Sequence, residues 1–447
     1  MVLCPNCATA LDLSQKQIEC FGCERRFPRL GGTKGIPVIF RNPEKYLHSC
    51  RAQVALLEQQ IERTVQTIEA QLQMPDVLPV TKSRCHAMIN AIRDQAADIL
   101  SILKPVLGDV EVEAATGSLP APLQYIHYLY RDWGWPADPD GENERILASI
   151  DKVVDSESLG RFLVVGAGAC RLAYDLSRRD PNADTTVLDI DPFLFAAAHT
   201  VIRGGSLKLR EANAEIDETR NVIKEWMLSA PHGSLNENRF HFILADGLNP
   251  PFAEETFDTL LTPWFIDVVP SDLRDFVSKA YTLLKPGGRW LNIGPLSYRP
   301  DVSASRRFAR EEVFELAERA GFRLDKSCTE SMPYLVSKLN GRGKVERILA
   351  FAATKLNSLE RKPVPGPPAW LVFRHIPIPT FSDQSLFWSE DPAVQMVVSA
   401  IDGRNTLDDI ASLIAVEASE TGLTMDQFRE IVRRCLSESH PALRLLP

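Results

Sequence analysis

The first residues able to do chemistry are Cys4-Pro-Asn-Cys7 and Cys20-Phe-Gly-Cys23, two CxxC knuckles separated by twelve residues. Knuckles at this separation can set four thiolates tetrahedrally around Zn²⁺, and a site filled by four protein ligands is structural rather than catalytic. The segment is too small to bury a core, so a metal would supply its folding energy. A second constellation reads VVGAGAC, Val164 to Cys170. Gly166 and Gly168 would let the backbone turn tightly and approach a ligand closely. Cys170 stands where a third glycine would often be, so the full dinucleotide fingerprint is absent. Asp189 ends the next apolar run about twenty residues on, where an acid can accept hydrogen bonds from ribose hydroxyls. Asp191 is the weaker candidate because it would begin a helix. Asp246 and Gly247 stand at another strand end, and Asp267 lies inside the apolar run LLTPWFIDVV. A buried carboxylate without a cation is costly, so Asp267 is either a functional acceptor or the N-cap of the helix that must start soon after.

These residues need elements to position them. RFLVVGAG reads as strand then glycine turn, CRLAYDLSRR as helix, TTVLDID as strand and PFLFAAAHTVI as helix. HFILAD, DTLLTPWFI and RWLNIGPL are further strands with helices between them. Such alternation implies βαβ units and a parallel sheet with helices on both faces, an α/β fold. Upstream, Val54, Leu57, Ile61, Val65, Ile68 and Leu72 recur at helical steps, and a second helical stretch runs from about Lys82 to Leu103. KPVLGDVEVEAATGSLPAP (104–122) reads as a loop and QYIHYLYRDW as helix. KPVPGPPAW (362–370) is a linker by composition. Beyond it come the strand-like LVFRHIPI and two helices, opened by Thr406 with Asp409 and Thr424 with Gln427 as capping boxes. The expected organisation is therefore a cysteine ribbon (1–41), a helical extension (42–150), an α/β core (151–358), a linker (359–369) and a C-terminal module (370–447).

The 447 residues are 45% hydrophobic and 24% charged, with a net charge of −9. That balance is ordinary for a globular protein and disfavours non-specific affinity for nucleic acid or anionic membranes. No run of 18 apolar residues and no basic segment leading into an apolar stretch is evident, so a cytoplasmic location is expected. Nine cysteines are too sparse for a disulfide scaffold. Cys50, Cys85, Cys170, Cys328 and Cys435 read as small hydrophobes, and His127 and His375 as packed side chains.

Three resemblances add to this reading. CPNC, CFGC, FPRL and GIPVIF resemble the small zinc-ribbon partner that activates tRNA and release-factor methyltransferases. The GxG loop, Asp189, AD-x₁₀-FD from Ala245 to Asp258 and LKPGG from Leu284, in this order, resemble class I S-adenosylmethionine methyltransferases. YLYRDW (128–133), GAGACRLA (166–173), WFIDVV (264–269), WLNIGPLSY (290–298) and Pro333-Tyr334 are similar to the carnosine N-methyltransferase family over roughly 46–355. The resemblance implies a Rossmann-like class I core with S-adenosylmethionine held by Gly166, Gly168, Arg171, Asp189, Asp246 and Gly247. It also implies that Arg131 and Trp133 of the RDW bind the cofactor, Arg131 reaching its methionine carboxylate. Transfer would go to one imidazole nitrogen while Asp267 holds the N–H of the other, with Tyr298 and Tyr334 shaping the substrate or simply packing in the core. The family continues GPLxY with a histidine where this chain has Arg299, which would favour a carboxylate or acidic peptide. Asp189 also replaces the family's glutamate.

The C-terminal DPAVQMVVSAIDGRNTLDDIASLIA resembles PqqD-like winged-helix modules, which implies leader-peptide binding along a strand edge in 370–388 or an ordinary helical cap. The leading expectation is an N-methyltransferase for a histidine-containing small molecule or peptide. A peptide carboxylate O-methyltransferase and a non-catalytic cofactor-sensing binding protein are the alternatives.

Overall fold

Strands of two residues cannot stand alone, and the first forty residues contain four of them. β1 (Ile18–Glu19) pairs with β2 (Arg26–Phe27), and β3 (Arg29–Leu30) with β4 (Ile36–Pro37). What steadies them is the rest of the fold. Val38 pairs in parallel with Leu244, Ile39 N donates to Leu244 O at 2.7 Å, and Leu3 N donates to Pro251 O at 2.8 Å. The computed structural model describes residues 1–32, 35–108, 122–136, 141–154, 158–212, 222–269, 272–300, 302–337, 339, 343–356, 370, 376–380, 392–418 and 423–439.

The helical periodicity becomes α1 (Pro43–Gln71) and α2 (Pro79–Leu107), each with proline in the first turn, where its missing N–H costs nothing. Asn42 caps α1 by accepting from Lys45 N. α3 (Pro122–Leu129) runs into a π-helical turn, Tyr130–Gly134, which carries Arg131 and Trp133. α4 (Glu142–Val153) precedes the core.

The core alternates as the sequence predicts: β5 (Arg161–Val165), α5 (Arg171–Arg179), β6 (Asp184–Asp189) and α6 (Pro192–Ile202). A hairpin of β7 (Leu207–Ala212) and β8 (Ile223–Leu228) leads to β9 (Phe240–Leu244) and β10 (Phe257–Pro263). Then come α7 (Leu273–Leu283), β11 (Leu284–Pro295), α8 (Arg310–Ala320), β12 (Phe322–Tyr334) and β13 (Lys344–Lys355). The sheet order is β12-β13-β11-β10-β5-β6-β9, with β9, β6, β5, β10 and β11 parallel and β13 antiparallel to both its neighbours. The chain therefore leaves β5 toward β6 on one side and later returns to β10 on the other. That reversal opens a crevice at the carboxyl ends of these strands.

Two features escape the sequence pattern. The hairpins β7–β8 and β12–β13 were not expected. The run DTLLTPWFI stops being strand at Pro263, because Trp264 turns out of it with φ +47°.

Residues 315–321 and 358–447 make a separate unit. Within it, helices Pro392–Ser399, Leu407–Glu417 and Met425–Ser439 enclose Ile378, Val397, Ile410 and Val432. There are thus three described helices after the linker, not two. The linker 359–369, His375 and most of the strand edge expected in 370–388 lie outside the described residues. Both capping boxes form: Asp409 N donates to Thr406 Oγ1 and Thr406 N to Asp409 Oδ2, while Thr424 N donates to Gln427 Oε1 at 2.8 Å. Replacing Thr406 by Ala should cost this unit about 1 kcal/mol, read as a lower denaturation midpoint, whereas Thr406→Ser should cost much less.

Candidate functional site

The sulfurs of Cys4, Cys7, Cys20 and Cys23 all lie within 4.8 Å of one another. Cys4 and Cys23 are 3.7 Å apart and Cys7 and Cys20 3.4 Å, so each knuckle faces the other. Four soft donors converging in this way suit one tetrahedral metal and leave no open position. Cys50 and Cys170 are buried among apolar side chains, as expected.

The glycine loop closes against Asp189. One carboxylate oxygen accepts from Gly168 N at 2.7 Å, and the other from Ile190 N at 2.7 Å and Asp191 N at 2.9 Å. Burial pushes the Asp189 carboxyl up and these three N–H groups pull it back down. Gly166 has φ +72°, and a Cβ there would come within 2.7 Å of Phe265 Cδ2. At Gly168, φ +55°, nothing stands within 4 Å of where a Cβ would be, so the backbone is open to a ligand. Cys170 takes the left-handed conformation, φ +66°, that a third glycine would adopt at ease. Asp191 caps α6 by accepting from Phe193 N and Leu194 N, the structural role the sequence suggested.

This loop forms one wall of a cavity of about 500 Å³ at the strand ends. Gly166, Gly168, Arg171, Asp189, Asp246, Gly247, Arg131 and Tyr334 all line it. Asp246 follows β9, its carboxylate accepting from Leu248 N and Asn249 Nδ2. Arg131 is nearly buried and pinned between Asp132 at 2.5 Å and Glu142 at 2.8 Å. Burial opposes its charge, but those two carboxylates hold it protonated. Its guanidinium lies 5.2 Å from the Tyr128 ring centre and 5.7 Å from that of Tyr334. Arg171 donates to Asp175 and to the Asp132 carbonyl. Trp133 stands outside the cavity. Its indole N–H donates to Ala169 O at 2.9 Å, bracing the glycine loop from behind.

The expected substrate residues divide. Tyr334 lines the cavity, donates its hydroxyl proton to Tyr128 Oη at 2.9 Å and stacks on Trp264 at 5.3 Å. Asp267 lies in the turn after β10, one layer behind the cavity wall formed by Trp264, Phe265, Val268 and Val269. It does not cap a helix, since Asp272 caps α7. Its Oδ2 accepts from Ser297 N at 3.1 Å, while the buried Oδ1 has no partner among the described residues. Burial pushes its carboxyl up to about 6. Tyr298 donates to Phe308 O and does not line the cavity. Arg299 is exposed, and its charge reaches Tyr125 on the cavity wall.

The sequence reading missed Tyr125, Tyr128, Glu142 and Trp264. Tyr128 was accessible, being three residues before Arg131 and hence on the same helical face. Glu142 carried no signal, because only the tertiary fold brings it to Arg131. Since Gly166 combines a left-handed backbone with a close approach to Phe265, Gly166→Ala should destabilise the chain by about 1–3 kcal/mol. Equilibrium denaturation measures this, and Phe265→Ala in the same chain should recover part of the loss.

Residues 111–340 match the carnosine N-methyltransferase family. The carnosine N-methyltransferase unmet of Drosophila melanogaster is 27% identical over 191 residues, covering 38% of this chain and 39% of that protein. The carnosine N-methyltransferase of Dictyostelium discoideum is 35% identical over 85 residues, 19% of this chain and 18% of the relative. The chain thus spans less than two fifths of the length of the curated relatives it matches. Among solved structures, phosphoethanolamine N-methyltransferase 2 of Haemonchus contortus with S-adenosyl-L-methionine is 16% identical at a TM-score of 0.35, covering 53% of this chain and 57% of that one. With the match extending over residues 111–340, which hold the π-helical turn, the glycine loop and every cavity strand, the chain belongs to the carnosine N-methyltransferase family.

Proposed function

We propose that this protein is an S-adenosylmethionine-dependent N-methyltransferase that methylates an imidazole nitrogen of a histidine-containing small molecule or peptide. The observation that carries the reading is the cavity of about 500 Å³ at the sheet's switch point, a size and place typical of small-molecule sites. Gly168 leaves its backbone open there, Asp189 and Asp246 offer acceptors for ribose and adenine, and Arg131 offers a cation for a carboxylate. S-adenosylmethionine bound in this cavity would supply an electrophilic methyl group.

The chain's own residues then have mostly positioning to do, because in-line displacement needs an aligned lone pair and little else. Asp267 does not line the cavity, so it would reach the N–H of the second imidazole nitrogen only once the wall residues Trp264 and Phe265 move aside; there its carboxylate would fix the tautomer and stabilise the cation as it forms. Its unpaired Oδ1 supports that role. Trp264 and Tyr334 would flank the acceptor ring, and Arg299 would meet an acceptor carboxylate. Tyr298, held by Phe308 O, would support the turn that carries Ser297 and its hydrogen bond to Asp267. Zn²⁺ bound by the four thiolates would hold the ribbon together. A leader-peptide partner for the C-terminal unit belongs to the same proposal and rests on sequence resemblance alone.

The deciding experiment is transfer from labelled S-adenosylmethionine to carnosine, histidine and histidine-containing peptides, with mass spectrometry locating the methyl group. Transfer to an imidazole nitrogen is expected. Binding of S-adenosylmethionine without transfer to any imidazole would defeat the reading. Activity should fall on acidification below about 6.5 as the acceptor imidazole takes a proton, and more steeply once Asp267, at about 6, is protonated as well. Asp267→Asn should lower kcat by about 10²-fold or more at pH 8 while leaving cofactor affinity nearly unchanged. Purified protein should carry one Zn²⁺ per chain by elemental analysis, and Cys20→Ser should lose it and lower the melting temperature.

A further inference from the structure

β13 begins Lys344-Val345-Glu346 and continues into the core with Ile348, Ala350 and Ala352. Alternation along a strand puts Glu346 on the face of those apolar residues and Val345 on the other. The exposures invert the usual pattern: Val345 is 72% exposed and Glu346 only 7%. A carboxylate in an apolar position is expensive unless something there needs it. Its Oε2 accepts the Trp264 indole N–H at 2.7 Å, and its Oε1 pairs with Lys344 Nζ at 2.5 Å.

Trp264 is held at both ends. Its backbone N donates to Ile293 O at 2.7 Å and sits in the left-handed region, φ +47°. Gly294 makes room for that turn, since a Cβ there would come within 2.9 Å of both the N and Cα of Trp264. At the far end the indole N–H meets Glu346, and between the two the ring stacks on Tyr334 at an interplanar angle of 20°. Trp264 and Tyr334 both line the cavity, and Glu346 does not.

The geometry points to Glu346 as a positioning residue: it fixes the attitude of the Trp264 ring and, through it, the wall against which the methyl acceptor packs. This inference rests on the methyltransferase reading for the identity of the acceptor, though not for the contact itself. Arg131 touches Tyr334, but it is held by Asp132 and Glu142 and the glycine loop by Asp189, so disturbing Glu346 leaves the cofactor end of the cavity in place.

The test uses the full chain labelled with ¹⁵N-tryptophan. The Trp264 indole resonance, one of seven, is assigned by its disappearance in Trp264→Phe. Glu346→Ala should shift that resonance and speed its exchange with water, and should raise KM for carnosine about tenfold or more. Affinity for S-adenosylmethionine should stay near wild type. Glu346→Gln keeps an acceptor oxygen and should restore both the resonance and KM to near wild type. An unmoved resonance in Glu346→Ala overturns the inference, as does a shifted resonance with unchanged KM. Parallel loss of cofactor affinity overturns it too, because it would mark a general structural role. Where Glu346→Ala fails to fold, Trp264→Phe keeps one aromatic ring on the wall but loses the five-membered ring with its N–H, and an unchanged KM there again overturns the inference. A wild-type chain that binds S-adenosylmethionine but methylates no imidazole defeats the methyltransferase reading alone, and the resonance in Glu346→Ala then decides whether Glu346 holds Trp264.

Discussion

One carboxylate organises the ligand end of this fold. Asp189 receives Gly168 N from the loop after β5 and Ile190 N and Asp191 N from its own turn. The glycine loop and the start of α6 are thereby tied to a single strand end. Asp191 then turns the chain into α6, and Tyr46 from α1 donates its hydroxyl proton to Ile190 O at 3.0 Å, so the helical extension closes on the same point. Trp133 meets the loop from behind at Ala169. Each of these contacts assumes the loop's position, which Asp189 sets together with the Leu188 carbonyl that accepts from Gly166 N and Ala167 N.

The far wall of the cavity has another logic. There, Glu346 pairs with the exposed Lys344, while Arg131 is buried in mutual compensation between Asp132 and Glu142. Removing one partner of such a group leaves the other buried and unpaired, which costs more than the pair itself contributes. The aromatic rings of Tyr128, Tyr334 and Trp264 lie among these charges, and their orientation follows from hydrogen bonds at their rims rather than from packing alone.

How much of this the sequence disclosed depends on whether a residue's partner is local. The glycine loop, Asp189 and the capping boxes are local: a turn, a strand end and three-residue spacings, all governed by backbone geometry. The two cysteine knuckles were equally legible because metal chemistry imposes its spacing on the chain. Glu142 and Glu346 were not. Their partners lie 11 residues before one and 82 before the other, and in sequence each reads as a solvated acid. Asp267 was found for its charge within an apolar run, but its placement one layer behind the wall depended on Trp264 leaving the strand early.

The ribbon's attachment has a consequence for the chain as a polymer in a crowded solution. β9 is an edge strand whose sequence, FHFIL, would pair readily with a strand from another chain. The opposite edge, β12, carries Asp325, Lys326 and Glu330 and repels such pairing by charge. β9 has no comparable charges, and Val38 and Ile39 of the ribbon lie along its carboxyl end instead. A chain whose ribbon came loose would free Leu244, at the apolar carboxyl end of this edge, for its neighbours. The first forty residues therefore also cap the end of the one sheet edge that charge does not protect.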